Sequence, residues 1–528
     1  MRVSLEQIYN KKREQKFAYM VQESRTRKTF LNARVNLIFY FLTLLLSFFS
    51  RKIFLDILGA DFIGLTGTLQ NLLSFLNIVE LGIGTAVGYV LYKPLFENNQ
   101  DKINEIISVF GYMYQWVGKI ILFAGFTLSL FLPLIYPNTK FELPIIYLAY
   151  YSFLASSLIG YFINYRQILL SADQKNYVVT AYFQSGNILM TIIQMVAAYC
   201  TGNYYLWIAI NFIFGIIYSF ILNWKINQVY PWLKSNIKNG KALLDKYPEV
   251  IKLTKQVFVH KFASIVQFQL TPFLVYAFVS LQTVAFYGNY TIITDKLKIL
   301  LGNVLDSTFA GIGNLIAEGN RTKILNVYWE LMIVRFYFGA VIIFSLSYLV
   351  PPFIELWLGS KYLLSESILT LVLIIFGLNI IRGTTDQFIS GYGLYNDIWA
   401  PIAESIIFIV MAIVGGYFWE LEGLLLGSIT SLITIVYIWK PYFLFKKRFK
   451  MSVWVYWLNF LKFICLSITT MIIFKLMNTF IKIEYNNDWF VFILYAAYIG
   501  ISFAIIQFIV LYCGTAGMKC LVQRILKK

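Results

Sequence analysis

Glu97-Asn98-Asn99-Gln100-Asp101-Lys102-Ile103 and Glu318-Gly319-Asn320-Arg321-Thr322-Lys323-Ile324 are two copies of one seven-residue stretch, identical at four positions and 221 residues apart. Gln167 and Asn176 recur in the same order at Gln387 and Asn396, 220 residues on. Both pairs sit in polar segments between long apolar runs, and the offset carries the chain past six such runs. An even number of crossings leaves the two copies in the same orientation, which makes this a parallel repeat.

The runs themselves set the class of protein. Of 528 residues, 59% are hydrophobic and only 13% charged, with 47 Phe and 38 Tyr. Soluble domains carry about 25% charged residues, so this chain cannot cover itself with polar surface, and soluble enzyme classes drop out. A mean hydropathy of +0.68 agrees. The sequence predicts an integral membrane protein with fourteen helical spans, at about 35–57, 66–91, 106–134, 145–170, 177–200, 204–224, 257–280, 284–316, 325–350, 364–389, 398–418, 421–445, 454–477 and 489–512. The runs lack a period of two and are too long for barrel strands.

With the N-terminus inside, 29 of the 44 basic residues fall in cytoplasmic segments and three, Lys140, Lys361 and Lys482, in external loops. That bias places both termini in the cytoplasm. It also accounts for the net charge of +18 without nucleic acid. The repeat then divides the chain into a basic N-terminus (1–34), an N-lobe of six spans (35–224), a cytoplasmic linker (225–256), a C-lobe of six spans (257–445), an appended helix pair (446–512) and a cytoplasmic tail (513–528). The expected fold is an all-α polytopic membrane protein: two six-helix lobes related by a parallel repeat, plus a C-terminal pair.

Several chemistries are excluded. Cys200, Cys465, Cys513 and Cys520 have no CxxC spacing, and His260 is the single histidine. Metal centres and histidine-dependent nucleophiles are therefore not expected. No phosphate-binding glycine loop is present. External loops are short, the longest being 351–363 and 478–488, which argues against a glycosyltransferase or polymerase. Function must lie among the helices, and two lobes about one axis suit alternating access to a site at the bilayer midplane.

Ionisable groups inside a span line a cavity or pair with one another. Those here are Arg51, Lys52, Glu80, Lys119, Asp295, Lys296, Lys298, Asp306, Arg335, Arg382, Asp386 and Glu404. Asp295 and Asp306 are eleven residues apart, about three helical turns, with Lys298 one turn from Asp295 on the same broad face. Arg382 and Asp386 stand at i and i+4, which suits either an ion pair or a functional role. Lys119, Arg335 and Arg51 have no partner at helical spacing and are candidates for binding an anion. Gly84 and Gly88 form a GxxxG pair beside Glu80. Pro272 interrupts the seventh span as a gating hinge or a static bend.

Three stretches carry a family resemblance: Arg51–Leu65, with Leu58-Gly59 and Gly64-Leu65 closing the first hairpin; Val79–Leu95, VELGIGTAVGYVLYKPL; and Tyr165–Val178, YRQILLSADQKNYV. Together with the layout, they make the chain similar to the polysaccharide repeat-unit flippases (Wzx type) of the MOP superfamily, a MATE-like fold. The resemblance implies translocation of a polyprenyl-diphosphate-linked oligosaccharide to the outer leaflet of a bacterial inner membrane, for O-antigen, capsule or exopolysaccharide. It implies a lipid-linked oligosaccharide and membrane lipids as partners, and admits a polymerase and other assembly proteins. No cofactor is expected beyond a proton or sodium gradient. By position Arg51 and Lys52 match a basic site near the end of the family's first span. With Lys119, Lys298, Arg335 and Arg382 they are the candidate contacts for the diphosphate and glycan. Glu80, Asp295, Asp306 and Asp386 would serve antiport or balance charge. Related alternatives are a multidrug or cation antiporter and a peptidoglycan-precursor flippase.

Overall fold

The computed structural model describes residues 25–80, 82–137, 139–173, 175–305, 309–394, 397–478 and 488–526, and among them there are helices and turns but no strand. The first half holds α1 (Arg25–Ile57), α2 (Ala60–Leu76), α3 (Ile83–Phe96), α4 (Gln100–Ser129), α5 (Leu143–Phe162), α6 (Gln167–Ala172), α7 (Asn176–Thr201) and α8 (Tyr204–Val229). The second holds α9 (Pro248–Phe278), α10 (Leu281–Leu305), α11 (Phe309–Glu318), α12 (Arg321–Leu358), α13 (Glu366–Ile381), α14 (Gly383–Gly391), α15 (Trp399–Ser431), α16 (Trp454–Asn478), α17 (Trp489–Gly514) and α18 (Ala516–Leu526).

Among the described residues ten helices are long and apolar enough to cross a membrane, where the sequence predicts fourteen spans. The difference has identifiable sources. One 51-residue helical stretch, Trp399–Phe449, contains two of the expected spans, separated where Trp419 and Glu420 leave helical geometry and Glu420 adopts φ 47°. Helices α7 and α10 have spanning length but carry interior polar residues such as Asn187, Gln194, Lys296 and Lys298. The protein is a multi-pass, all-helical membrane protein.

The second expected span is not one helix. Helix α2 ends at Leu76, a 3₁₀ turn runs from Asn77 to Glu80, and Gly82 at φ 91° precedes α3. Only glycine takes that backbone without a steric penalty. By contacts the chain forms two units, one built from residues up to Leu58 with Val79–Val257, the other from Gly59–Ile78 with Phe258–Lys528. The break therefore coincides with a change of unit, and α2 belongs with the second. There Gly64 meets the Leu281 backbone at the start of α10, so closely that a Cβ would overlap the Leu281 carbonyl.

Within the first unit α7 packs against α1 and α8, and α5 against α4 and α8. The polar linker folds back on the start of α4. Asn104 accepts from the Lys234 N–H at 2.7 Å, Ser108 from the Asn236 N–H at 2.8 Å, and Glu105 takes Lys246 at 2.9 Å and the Tyr247 hydroxyl at 2.7 Å. Within the second unit the terminal pair, α16 and α17, is joined to α12. Phe344 stacks on Phe503 at 3.9 Å and 14°, and Phe474 meets Phe344 edge-on at 4.9 Å.

The repeated heptads have a structural reason. Asn99 caps α4 by accepting from the Lys102 N–H at 3.0 Å, and Asn320 caps α12 by accepting from the Lys323 N–H at 3.1 Å. Each cap satisfies one of the orphan donors of a helix N-terminus. Each follows a left-handed residue, Asn98 at φ 51° and Gly319 at φ 74°. Asn396 of the second pair lies outside the described residues.

Candidate functional site

Two groups of buried and half-buried polar side chains stand out, one in each unit. In the first, Glu80 ends the 3₁₀ turn between α2 and α3. The Tyr161 hydroxyl from α5 donates to its Oε2 at 2.6 Å, and the Tyr114 hydroxyl from α4 donates to its Oε1. The two rings lie 5.5 Å apart. Two phenols from two helices thus hold one carboxylate at a backbone break. Charge-assisted bonds of this kind are roughly twice as strong as neutral ones. Gly84 is the second residue of α3, and a Cβ there would stand 3.7 Å from the Tyr114 hydroxyl, an ordinary contact.

In the second unit four charges meet where α13 breaks into α14. The Arg382 Nε donates to Asp386 Oδ2 at 2.8 Å, and its Nη1 lies 3.7 Å from Glu404 on α15. Lys440 reaches the other Asp386 oxygen at 2.7 Å. The helix is widened to π-helical pitch over Leu432–Trp439, just before Lys440, and such turns recur at functional sites. Two cations and two carboxylates balance. Lys298, half-buried on α10, is close enough to interact electrostatically with Arg382.

Arg335 is 5% exposed and donates from Nη1 to the Ile380 carbonyl at 3.1 Å. That carbonyl lies in the last turn of α13. The guanidinium occupies the space a side chain on Gly383 would need, so it is built into the break. Lys119 is exposed on α4, 5.1 Å from the Trp116 ring. Arg51 is half-buried near the end of α1, and Lys52 is exposed. Asp295 is exposed on α10, and Asp306 lies outside the described residues. Helix α9 continues through Pro272. Of the candidates named from sequence, Arg382, Asp386 and Glu404 come together, Arg335 lies at the same break, and Glu80 belongs to the other unit.

Sequence reasoning missed Tyr114, Tyr161 and Lys440. The tyrosines carry no signal among 38 of their kind. Lys440 had one, a lysine inside an otherwise apolar span, and its partner lies 54 residues away.

No protein-family model matches the chain, and no curated protein matches it by sequence. Solved structures do match. The chain is similar to the lipid II flippase MurJ in an inward closed conformation, at 16% identity and a TM-score of 0.63, over 90% of this chain and 98% of that one. It is also similar to an inward-facing multidrug resistance MATE family transporter of the MOP superfamily, at 12% identity and a TM-score of 0.58, over 78% and 96%. The fold is that of the MOP-superfamily transporters. In this MOP fold the Glu80 site occupies the first unit and the Arg382–Asp386–Glu404–Lys440 cluster the second, both at helix breaks.

Proposed function

We propose that this protein is a transporter that flips polyprenyl-diphosphate-linked oligosaccharide repeat units from the cytoplasmic to the outer leaflet, for O-antigen, capsule or exopolysaccharide. It does so by alternating access in a bacterial inner membrane, with both termini cytoplasmic. The observation that carries this reading is the layout: helices α16 and α17, fixed to α12 by Phe344, Phe474 and Phe503, extend the bundle as expected for the lipid-linked branch. The overlap with the lipid II flippase is nearly complete in both directions, while the multidrug transporter leaves about a fifth of this chain uncovered. Lys298, beside the charge-balanced Arg382–Asp386–Glu404–Lys440 cluster, supplies positive charge within the bundle, which a diphosphate needs in low dielectric, and Arg382 adds N–H donors. Arg51, Lys52, Lys119 and Arg335 are the further proposed contacts for the diphosphate and glycan. Glu80, Asp295, Asp306 and Asp386 balance charge or couple to a proton or sodium gradient. A polymerase and other assembly proteins are proposed partners.

The test is leaflet accessibility of a polyprenyl-diphosphate trisaccharide in vesicles reconstituted with the protein, read with a membrane-impermeant probe. Protein-dependent exposure, reduced at least tenfold in Lys298→Ala, is expected. Exposure of a peptidoglycan precursor but of no other glycan would move the substrate to the cell-wall branch. Neither, with uptake of an organic cation against a proton gradient, would replace the reading by antiport, for which the Glu80 carboxylate is the supporting feature.

A further inference from the structure

Three glycines, Gly160 on α5, Gly186 on α7 and Gly215 on α8, stand around one cavity of about 470 Å³ in the first unit. Each removes a side chain where three helices converge. Nothing lies within 4 Å of an ideal Cβ on Gly160; one on Gly215 would stand 3.0 Å from the Ser156 hydroxyl, and one on Gly186 3.5 Å from the Tyr218 ring. The volume falls in the roughly 300–1,000 Å³ range of small-molecule sites.

The wall is largely apolar, with Ile159, Val179, Met190 and Phe214 among its residues, is studded with uncharged polar groups, and carries no charge. Ser156, Asn164, Gln167, Asn187, Asn211 and Tyr218 line it, with no Asp, Glu, Lys or Arg among the lining residues. The Ser156 hydroxyl is buried without a hydrogen-bond partner among the described residues. Asn164 is held in place by Ser219 and Asn223, each donating to its Oδ1 at 2.7 Å. Phe183 sets its ring edge-on to Tyr218 at 4.9 Å and 74°.

These walls select by chemistry. An ion would be desolvated with no countercharge to meet it, and a hydrocarbon would leave the amides and the Ser156 hydroxyl unpaired. A polyhydroxylated ring offers a donor and an acceptor at each hydroxyl, which carboxamides match on both counts, and presents C–H faces to Phe183 and Tyr218. We propose that this cavity is a subsite for neutral sugar residues. Identifying those sugars as the glycan end of a flipped lipid rests on the function proposed above; sugar binding by the cavity does not.

The full-length protein in nanodiscs is incubated with an array of neutral hexose and N-acetylhexosamine oligosaccharides and their sialylated and phosphorylated counterparts. Retention on at least one neutral glycan is expected, reduced tenfold or more both by Gly160→Phe, which fills the space, and by Asn187→Leu, which keeps volume and removes the amide. Hydrogen exchange of the wild-type protein provides a readout independent of variant folding: the bound glycan should slow exchange in residues 183–190. No neutral glycan retained, equal retention by both variants, or unchanged exchange would overturn the proposal and leave the cavity to solvent. Leaflet exposure in the vesicle assay alongside a blank array would sink the subsite and keep the flippase; the converse would keep the subsite and sink the flippase.

Discussion

Lys440 reaches Asp386 across 54 residues of sequence to form a 2.7 Å ion pair, and Asp386 shares its other oxygen with Arg382. Removing one partner of a buried pair strands the other, at about 3–5 kcal/mol for full burial. Here the side chains keep 17% and 32% exposure, so the lower end applies. Lys440→Met should lower the melting temperature in detergent, and adding Asp386→Asn should recover part of the loss. Additive losses in that cycle would mean that the two residues are not coupled.

The Glu80 site predicts graded losses. Glu80→Gln keeps an acceptor for one phenol, whereas Glu80→Ala keeps none. A buried donor left unmatched costs about 1–3 kcal/mol, so Ala should lower stability more than Gln, and replacing both phenols, Tyr114→Phe with Tyr161→Phe, should remove most of the difference between them. Thermal unfolding of the four proteins, each purified in the same detergent, checks the order.

The C-terminal helix α18 is latched by one charge pair. Arg524 lies 2.8 Å from Glu330, whose residue is 4% exposed on α12, and Gly517 rests against Ile333 so closely that a Cβ would stand 2.5 Å from it. Arg524→Ala should speed hydrogen exchange across 516–526 severalfold while leaving α16 and α17 protected. Uniform protection in the variant would show that apolar contact alone, Met518 included, holds the helix.

The all-helical membrane fold was legible because it depends on composition and run length, which the chain states outright. The repeat was legible at its caps, where Asn99 and Asn320 keep their identity because each must accept a backbone N–H. The helix break at 77–82 was not. Asn77 and Glu80 fall inside a run still apolar enough to read as one span, and it is the backbone, a 3₁₀ turn followed by Gly82 at φ 91°, that marks the break. Arg335 lacked a partner at helical spacing because it bonds a carbonyl on another helix, Ile380, and pairing between helices leaves no periodic trace. The same holds for the cavity in the first unit, whose three glycines become neighbours only when three helices converge.

The α15 hairpin depends on three glycines. Gly415 and Gly423 face each other across the reversal at Trp419–Glu420 so closely that a Cβ on Gly423 would overlap the Gly415 carbonyl, and one on Gly427 would stand 2.5 Å from the Ala412 nitrogen. Backbone cannot rotate aside as a side chain can. Gly423→Val should therefore cost more than the roughly 1–3 kcal/mol typical of overpacking and give little monodisperse protein. Gly500→Ala, with nothing within 4 Å of its Cβ, is the matched control and should behave as wild type by size exclusion.

Tyr230, just beyond α8, predicts how stability varies with alkaline pH. Its hydroxyl donates to Asp173 Oδ2 at 2.8 Å while Lys175 pairs with the same carboxylate oxygen at 2.8 Å. Burial, then the adjacent Asp173 charge, push the phenol well above its ordinary value of 10.0. A group whose folded value is raised holds its proton longer in the folded state than in the unfolded one. The stability linked to it is fully present below the unfolded value and declines as pH rises beyond it, by up to about 1.4 kcal/mol per pH unit. Tyr230→Phe should make the protein less stable near neutrality, through the lost hydrogen bond, and flatten the decline between about pH 10 and 12. Parallel slopes for wild type and variant over that range would show that Tyr230 does not control it and that another buried phenol, such as Tyr247 beside Glu105, does.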